Sequence, residues 1–484
     1  MKNSTTKVKT ESKKIRSAIV GLFWLAMWQA AAVAVNSRLL LPGPWQTLVS
    51  IADLAGEKSF YMNIGWTMLR CLISMVLSMV AGTLCAWIAY RKDVARSLLT
   101  LPVGFFKAVP VMAIIIYVIL LVPADYTAII VCFFMCFPIV YTNILGGLDA
   151  MDAQLLELAD IYQLTAIQKI RFIYAPGILP QVKSAIRLIA GLSWKAVVAA
   201  EVLSIPAYSL GYQMMNAKYY LDTPSLFAYI AVIVVLSLTT EKLLTMGLEK
   251  IRYRGYEGSR VAKASTEGKR SETGERKAMK APDVFIEGVH KSFGEKKVLE
   301  NADMKLEAGC VTVVMGPSGE GKTTLARITA GLEKADIGKV TADCPVRIAM
   351  LFQEDRLIPW LNVYDNMALS LLRNGIPHKS DKKEDMVVKM AQELEISDAL
   401  WKLPDQLSGG MKHRVAMGRT FLADANLMIL DEPMRGLDIQ LKKRIMDRLW
   451  KKSISGKTVL VITHNREDAL LMSHDVRELK NCTR

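Results

Sequence analysis

Val311 to Arg327, VTVVMGPSGEGKTTLAR, holds the residue types and spacing best suited to chemistry. A β-branched apolar run ends at Met315, a glycine-rich turn follows, and helix-forming sequence opens at Lys322. The turn fits G-x-x-x-x-G-K-[ST]: Gly316, Pro317, Ser318, Gly319 and Gly321 lead to Lys322 and Thr323, with Thr324 next. Glycines let the backbone wrap a phosphate chain and aim its N–H groups inward. The positive end of the helix dipole stands behind them. The motif assigns Lys322 to the β- and γ-phosphates and Thr323 to Mg²⁺. Two apolar strands further on end in groups that suit the same chemistry. Leu427 to Pro433, LMILDEP, closes on Asp431 and Glu432, and VLVITHN closes on His464.

These groups need a scaffold, and the composition divides it in two. Of 484 residues, 52% are apolar, yet the formal charge is +15, and the mean hydropathy is +0.25. A membrane half joined to a soluble half accounts for both. The basic residues cluster beside apolar spans, so the expected partner is the anionic inner leaflet of a lipid bilayer. No stretch resembles a nucleic-acid module, and no nucleic-acid partner is expected. The cysteines form no C-x-x-C pair. Cys71, Cys85, Cys132 and Cys136 lie inside apolar spans, and Cys310 and Cys344 in the soluble half. Neither a disulfide framework nor a zinc site is expected.

Residues 1–16 read as a flexible, lysine-rich cytosolic tail. Apolar spans follow at Ser17 to Val35, Thr67 to Tyr90, Leu98 to Val122, Tyr126 to Leu148, Ser184 to Leu203 and Leu226 to Leu248. Each is near the roughly 20 residues a spanning helix needs. Between the first two, Pro42 and Pro44 break the chain and Trp45 to Ala55 reads as an interfacial amphipathic segment. Basic loops alternate with sparsely charged ones. Arg91, Lys92 and Arg96, then Lys169, Arg171 and Lys183, then Lys250, Arg252 and Arg254 join the tail on the cytosolic side. The opposite loops carry only scattered cations such as Arg38, Lys58 and Lys218. Lys107, Lys195 and Glu201 are ionisable groups inside spans, candidates for the substrate path. Lys107 and Glu201 are also placed to snorkel from helix ends.

The loop from Asp149 to Lys183 carries LELADIYQLTAIQKIRFIYAPGILPQV. Its Glu157-Leu158-Ala159, with Pro176 and Leu179-Pro180 beyond, resembles the E-A-A loop of bacterial binding-protein-dependent ABC permeases. The resemblance implies a coupling helix that docks on the ATPase, with Glu157, Ala159, Pro176 and Pro180 as its marks. The family's glycine six positions after the Glu is Gln163 here, which leaves the form of the turn between the two short helices open. Leu41-Pro42-Gly43-Pro44, Lys107-Ala108-Val109-Pro110, Ala200-Glu201 and Leu210-Gly211-Tyr212 look like permeases of the nitrate, sulfonate and taurine import group.

Tyr253 to Pro282 is polar and charged and reads as a flexible linker. Residues 283–484 resemble an ABC ATPase through LSGGM at Leu407 to Met411, the phosphate loop and LMILDEP. The resemblance implies that Phe293 stacks on adenine and that Gln353 acts as the Q-loop on Mg²⁺ and water. It implies that Ser408, Gly409 and Gly410 bind the γ-phosphate of the opposite subunit's nucleotide, and that Asp438 belongs to the D-loop. Asp431 would orient Mg²⁺, Glu432 would serve as general base, and His464 would hold the γ-phosphate. Met411, Arg435, Gly436 and Asn465 depart from the family's usual residues, and none removes a catalytic group.

The expected fold is an all-α six-helix permease over 17–252, with its coupling loop at 149–183, fused to an α/β P-loop ATPase with a helical subdomain. The expected function is ATP-driven import of a small solute across the cytoplasmic membrane. Candidates are an anion such as nitrate, taurine or another sulfonate, or a small vitamin precursor. Two copies of the chain would work with an extracytoplasmic binding protein, using ATP and Mg²⁺. An exporter half-transporter is the alternative; spans close to bilayer length and the E-A-A-like loop favour import.

Overall fold

The structure, a computed structural model, describes residues 2–37, 39–250, 279–317, 319–374 and 381–479. Arg38, Arg252, Arg254, Ser318 and most of the stretch read as a linker lie outside the described residues. The chain divides into two compact units. One comprises Met1–Met151 and Gly177–Arg252; the other comprises Asp152–Pro176 and Tyr253–Arg484.

The first unit is helical. In order it holds α1 (Lys2–Val35), α2 (Pro44–Ala55), α3 (Lys58–Arg91), α4 (Asp93–Ala108), α5 (Val111–Leu121) and α6 (Ala124–Asp149). The stretch expected to be a flexible tail is the start of α1. It contains no proline or glycine before Gly21, and its lysines are good helix formers. The span expected over Leu98 to Val122 is two helices, α4 and α5, bent by 106°. Pro110 is the cause: it lacks an N–H and pushes Val109 into an extended conformation. Among the described residues, α3, α6 and Thr223–Glu249 are long and apolar enough to cross a bilayer, and the bent pair makes a fourth if taken as one span.

The second unit begins with α7 (Ala153–Ile161) and α8 (Ala166–Lys169), the latter extended by a π-helical stretch, Ile170–Tyr174. The chain then returns to the first unit with α9 (Leu179–Ser204), α10 (Leu210–Tyr219) and α11 (Thr223–Lys250). The six expected spans therefore fall on α1, α3, the α4–α5 pair, α6, α9 and α11.

In the core of the first unit α6 packs between α3 and α9. The α3–α6 approach is close: a Cβ on Gly82 would lie 2.7 Å from Val140 Cγ1. Glu201 on α9 is buried, and does not snorkel from the helix end. It accepts from Arg70 Nη1 of α3 at 2.9 Å, from Thr67 Oγ1 at 3.0 and 3.1 Å, and from Gly211 N of α10 at 3.2 Å. Arg70 also donates to the Tyr208 carbonyl at 2.8 Å and pairs with Asp125 at 3.5 Å. A Cβ on Gly211 would sit 2.5 Å from Glu201 Cβ, so only glycine lets α10 approach this knot. Lys107 ends α4 and is exposed.

The second unit continues with β1 (Val284–Phe293), β2 (Lys296–Leu306), β3 (Val311–Met315), α12 (Lys322–Thr329), β4 (Ile337–Ala342) and β5 (Ile348–Leu351). Next come α13 (Val363–Ala368), α14 (Asp381–Glu393), α15 (Gly409–Phe421) and β6 (Leu427–Asp431). It ends with α16 (Ile439–Arg444), β7 (Thr458–Thr463), α17 (Arg466–Met472) and β8 (Asp475–Glu478). A five-stranded sheet in the order β5-β6-β7-β3-β8 is parallel throughout. A smaller sheet, β2-β1-β4, is antiparallel. Parallel strands covered on both faces read as continuous apolar runs, and β6 and β7 are buried at every position. The register pairs Met315 with Thr463 and Asp431 with Ile462. The strand ends that carry the phosphate loop, the two carboxylates and His464 therefore lie side by side at one edge.

Candidate active site

The phosphate loop follows β3 and opens α12. Gly321 holds φ +97°, and a Cβ there would meet the Val298 carbonyl at 2.7 Å. Glycine is therefore required at that position. Lys322 is buried and folds back on its own turn, donating to the Gly316 and Pro317 carbonyls at 2.6 Å each. Thr323 donates to Asp431 Oδ2 at 2.9 Å. Burial raises Asp431 to about 6.

Glu432 follows with φ +54°, a left-handed conformation that costs a non-glycine residue on the order of 1–2 kcal/mol. Strain of this kind clusters at functional sites. Its backbone N–H bonds the Ile462 carbonyl at 2.9 Å, which fixes the turn to β7. Oε1 lies 2.6 Å from His464 Nδ1 and accepts from His464 N at 3.1 Å, while Oε2 accepts from Thr463 Oγ1 at 3.3 Å.

A cavity of about 290 Å³ gathers Phe293, Gly319, Gly321, Lys322, Thr323, Thr324, Gln353, Asp431 and Glu432. Phe293 is half exposed at its mouth. His464 lines an adjoining cavity with Gly316 and Pro317. Ser408, Gly409, Gly410 and Asp438 are not among the residues lining either cavity. Ser408 caps α15, accepting from Met411 N at 3.3 Å, and Asp438 caps α16, accepting from Leu441 N at 2.8 Å.

Glu157, on α7, is clamped within the same unit. Arg327, at the end of α12, donates through Nη2 and Nη1 at 2.8 and 3.0 Å, and Arg356 donates at 2.7 Å. The Arg327 bonds, then those of Arg356, hold the Glu157 carboxyl below its usual range against some desolvation. Ala159 is fully buried, Pro176 is buried, and Pro180 sits in the first turn of α9. Trp360 Nε1 donates to the Phe172 carbonyl at 2.7 Å. Gln163 takes φ +48°, so the glycine-type turn is kept although the glycine is not.

Sequence reading missed the partners. Arg327 lies one helical turn beyond Thr323, and Arg356 follows Gln353 closely; both spacings were visible, but no pattern named their acceptor. His413 and Arg419 on α15 were also missed. His413 Nδ1 lies 3.0 Å from Asp355 Oδ1, and its Nε2 lies 3.0 Å from the Pro433 carbonyl. Arg419 donates to the Asp355 and Arg356 carbonyls at 2.9 and 3.0 Å and lies over the Tyr162 ring. Helix α15 thus fixes the segment after Gln353 at two points and reaches the residue after Glu432.

A phosphate-wrapping turn, a strand-end carboxylate pair and a histidine at adjacent parallel strands define a P-loop ATPase. A family model described as ABC transporter matches residues 299–435, and one described as binding-protein-dependent transport system inner membrane component matches residues 74–246. The chain is 35% identical over 199 residues to the aliphatic sulfonates import ATP-binding protein SsuB 1 of Shouchella clausii, covering 40% of this chain and 76% of that protein. It is 35% identical over 196 residues to SsuB of Corynebacterium glutamicum, covering 40% and 79%. It is 34% identical over 204 residues to the spermidine/putrescine import ATP-binding protein PotA of Bacteroides fragilis, covering 40% and 44%. The chain belongs to the ABC transporter family, as a type I importer whose permease and ATPase share one polypeptide. It is a multi-pass membrane protein that binds ATP and couples its hydrolysis to transport, with the ATPase on the cytosolic side.

Proposed function

We propose that two copies of this chain import a small solute delivered by an extracytoplasmic binding protein. The solute is an anion such as nitrate, taurine or another sulfonate, or a small vitamin precursor. The aliphatic-sulfonate relatives support the anion reading. The homodimer reading is supported by the position of Ser408, Gly409 and Gly410, outside the cavity of their own phosphate loop. A second copy would bring them to the γ-phosphate, where a helix start suits an anion.

In this reading Phe293 stacks on adenine. Gly316, Pro317, Ser318, Gly319, Gly321 and Thr324 hold the phosphates, and Asp438 lies near the second copy. Lys322 leaves its carbonyls for the β- and γ-phosphates. Glu432 polarises the attacking water, and His464 holds both Glu432 and the γ-phosphate. Thr323, Asp431 and Gln353 present hard oxygen donors of the kind Mg²⁺ takes, with the Thr323–Asp431 bond of 2.9 Å showing two of them already adjacent. The ion would supply neutralisation of phosphate charge.

The observation that carries the coupling role is Glu157 held by Arg327 on the phosphate-loop helix and by Arg356 beside Gln353. A nucleotide-driven shift of either arginine would be felt at Glu157, biasing the permease between its states. The test is Glu157→Ala in proteoliposomes with the binding protein. ATP hydrolysis should persist while uptake falls about tenfold or more, in line with losing a coupling free energy of about 1–3 kcal/mol. Uptake equal to wild type would remove this loop from the mechanism.

A further inference from the structure

Arg70 and Lys195 both lie well inside helices of the first unit, and their surroundings differ. Arg70 is buried and paired with Glu201 and Asp125. Lys195, on α9, makes no ion pair or hydrogen bond among the described residues. It lies about 24 Å from the start of α9 and about 14 Å from its end at the helical rise, too far to snorkel easily. Lys195 is exposed on α9, and an ionisable residue well inside a helix of a membrane half is functional by default.

Lys195 lines an open cleft of about 640 Å³ between α5, α9, α10 and α11. The other walls are apolar, with Met112, Trp194, Met214 and Ile233 among them; Ser237 adds one hydroxyl. Among the described residues no carboxylate lines the cleft. Glu241 on α11 brings an oxygen to 3.8 Å from where a Cβ on Gly191 would stand, a turn away from Lys195, without pairing with it. A single exposed positive charge on an otherwise apolar wall attracts one negative charge, with no carboxylate among the lining residues to compete for it. The volume suits a ligand larger than a bare inorganic ion.

We propose that this cleft is a binding site for an organic monoanion: its charged head on Lys195 and Ser237, its carbon body on the apolar wall. The site rests on the proposed import of an anionic solute and narrows its class. Polyamines would meet Lys195 as a like charge. Sulfate would bring two charges and no surface to bury. Nitrate would leave most of the cleft empty.

The test uses the full chain in nanodiscs of phosphatidylcholine alone, with hexanesulfonate as probe and binding read by equilibrium dialysis without nucleotide. Saturable binding is expected. Lys195→Met should weaken it at least tenfold, Ser237→Ala two- to fivefold, and Lys195→Arg less than threefold; the last also shows that the altered chain folds. Sulfate and spermidine should not compete. Equal affinity in Lys195→Met, or competition by spermidine, would overturn the proposal. So would absence of hexanesulfonate binding in phosphatidylcholine combined with Lys195-dependent retention of phosphatidylglycerol, since that outcome makes the cleft a lipid site. Binding that persists where proteoliposomes import no sulfonate would count against the proposed anion substrate and leave the site standing.

Discussion

Glu201 in the membrane half and Glu432 in the ATPase half are both carboxylates set into apolar surroundings. Glu201 is fully buried on a regular helix, and Arg70, Thr67 and the Gly211 N–H satisfy its oxygens. Glu432 sits on a left-handed backbone at the end of a parallel strand, and its bonds come from His464 and Thr463 at the same edge. The first arrangement ties three elements together and leaves little for a ligand to claim. The second keeps a strained carboxylate beside an open cavity. Charge satisfied from distant parts of the chain reads as architecture; charge strained at a strand end reads as chemistry.

Glu432 carries the largest expected effect. Glu432→Gln preserves shape and removes the base, so phosphate release should fall roughly 10²- to 10⁴-fold while nucleotide binding and thermal stability stay near wild type. Near-normal turnover would place the base elsewhere.

Glu201→Ala should do the reverse. It strands Arg70 in the bundle, and breaking a buried pair costs about 3–5 kcal/mol. Thermal unfolding of the purified protein in detergent should show that loss. Replacing Arg70 and Glu201 together by methionine should recover much of it, because the uncompensated charge is gone. If the double variant is no more stable than Glu201→Ala, the knot serves something other than packing.

Asp365 on α13 is a third case, buried with neither carboxyl oxygen bonded. Burial raises it to about 7. Because the folded value lies above the unfolded one for an acid, the folded state holds the proton longer. Stability is therefore greatest below about pH 4 from this group, falls as pH rises toward 7, and levels off above. The loss is of order 2–4 kcal/mol. Asp365→Asn should flatten that part of the pH–stability profile; an unchanged slope between pH 4 and 7 would mean the group is hydrated.

What could be read from sequence tracks the range of the interaction. The phosphate loop, Asp431-Glu432 and His464 are set by runs of a few residues whose turn chemistry is local, and the structure brings them to one edge. Glu157 was visible as a motif, but Arg327 and Arg356 were not, because a clamp across 170 and 199 positions leaves no periodic trace. The pairing of Arg70 with Glu201, 131 positions apart, was hidden for the same reason. The bend at Pro110 was legible and was overridden by the apolar run on either side of it. Gln163 left its turn undecided, because a residue type makes a left-handed backbone costly without excluding it.

That cost sets the smallest prediction. Helix α7 ends with Gln163 N donating to the Asp160 carbonyl at 3.0 Å and Leu164 N to the Ala159 carbonyl at 2.9 Å. This is the paired-bond closure that usually carries glycine at the left-handed position, and Leu164 is buried just beyond it. The closure and the buried Leu164 outweigh a left-handed penalty of roughly 1–2 kcal/mol for a side chain. Gln163→Gly removes the penalty but gives the unfolded chain more freedom, so the net gain should be about 0.5–1 kcal/mol in thermal unfolding. Gln163→Val, β-branched and less tolerant of positive φ, should lose at least as much. Glu432 carries the same kind of strain at the strand end, so the pair of measurements asks whether strain in the coupling loop is incidental. If uptake per ATP is unchanged in Gln163→Gly while stability rises, the strain there is a leftover that α7 tolerates, unlike the strain at Glu432.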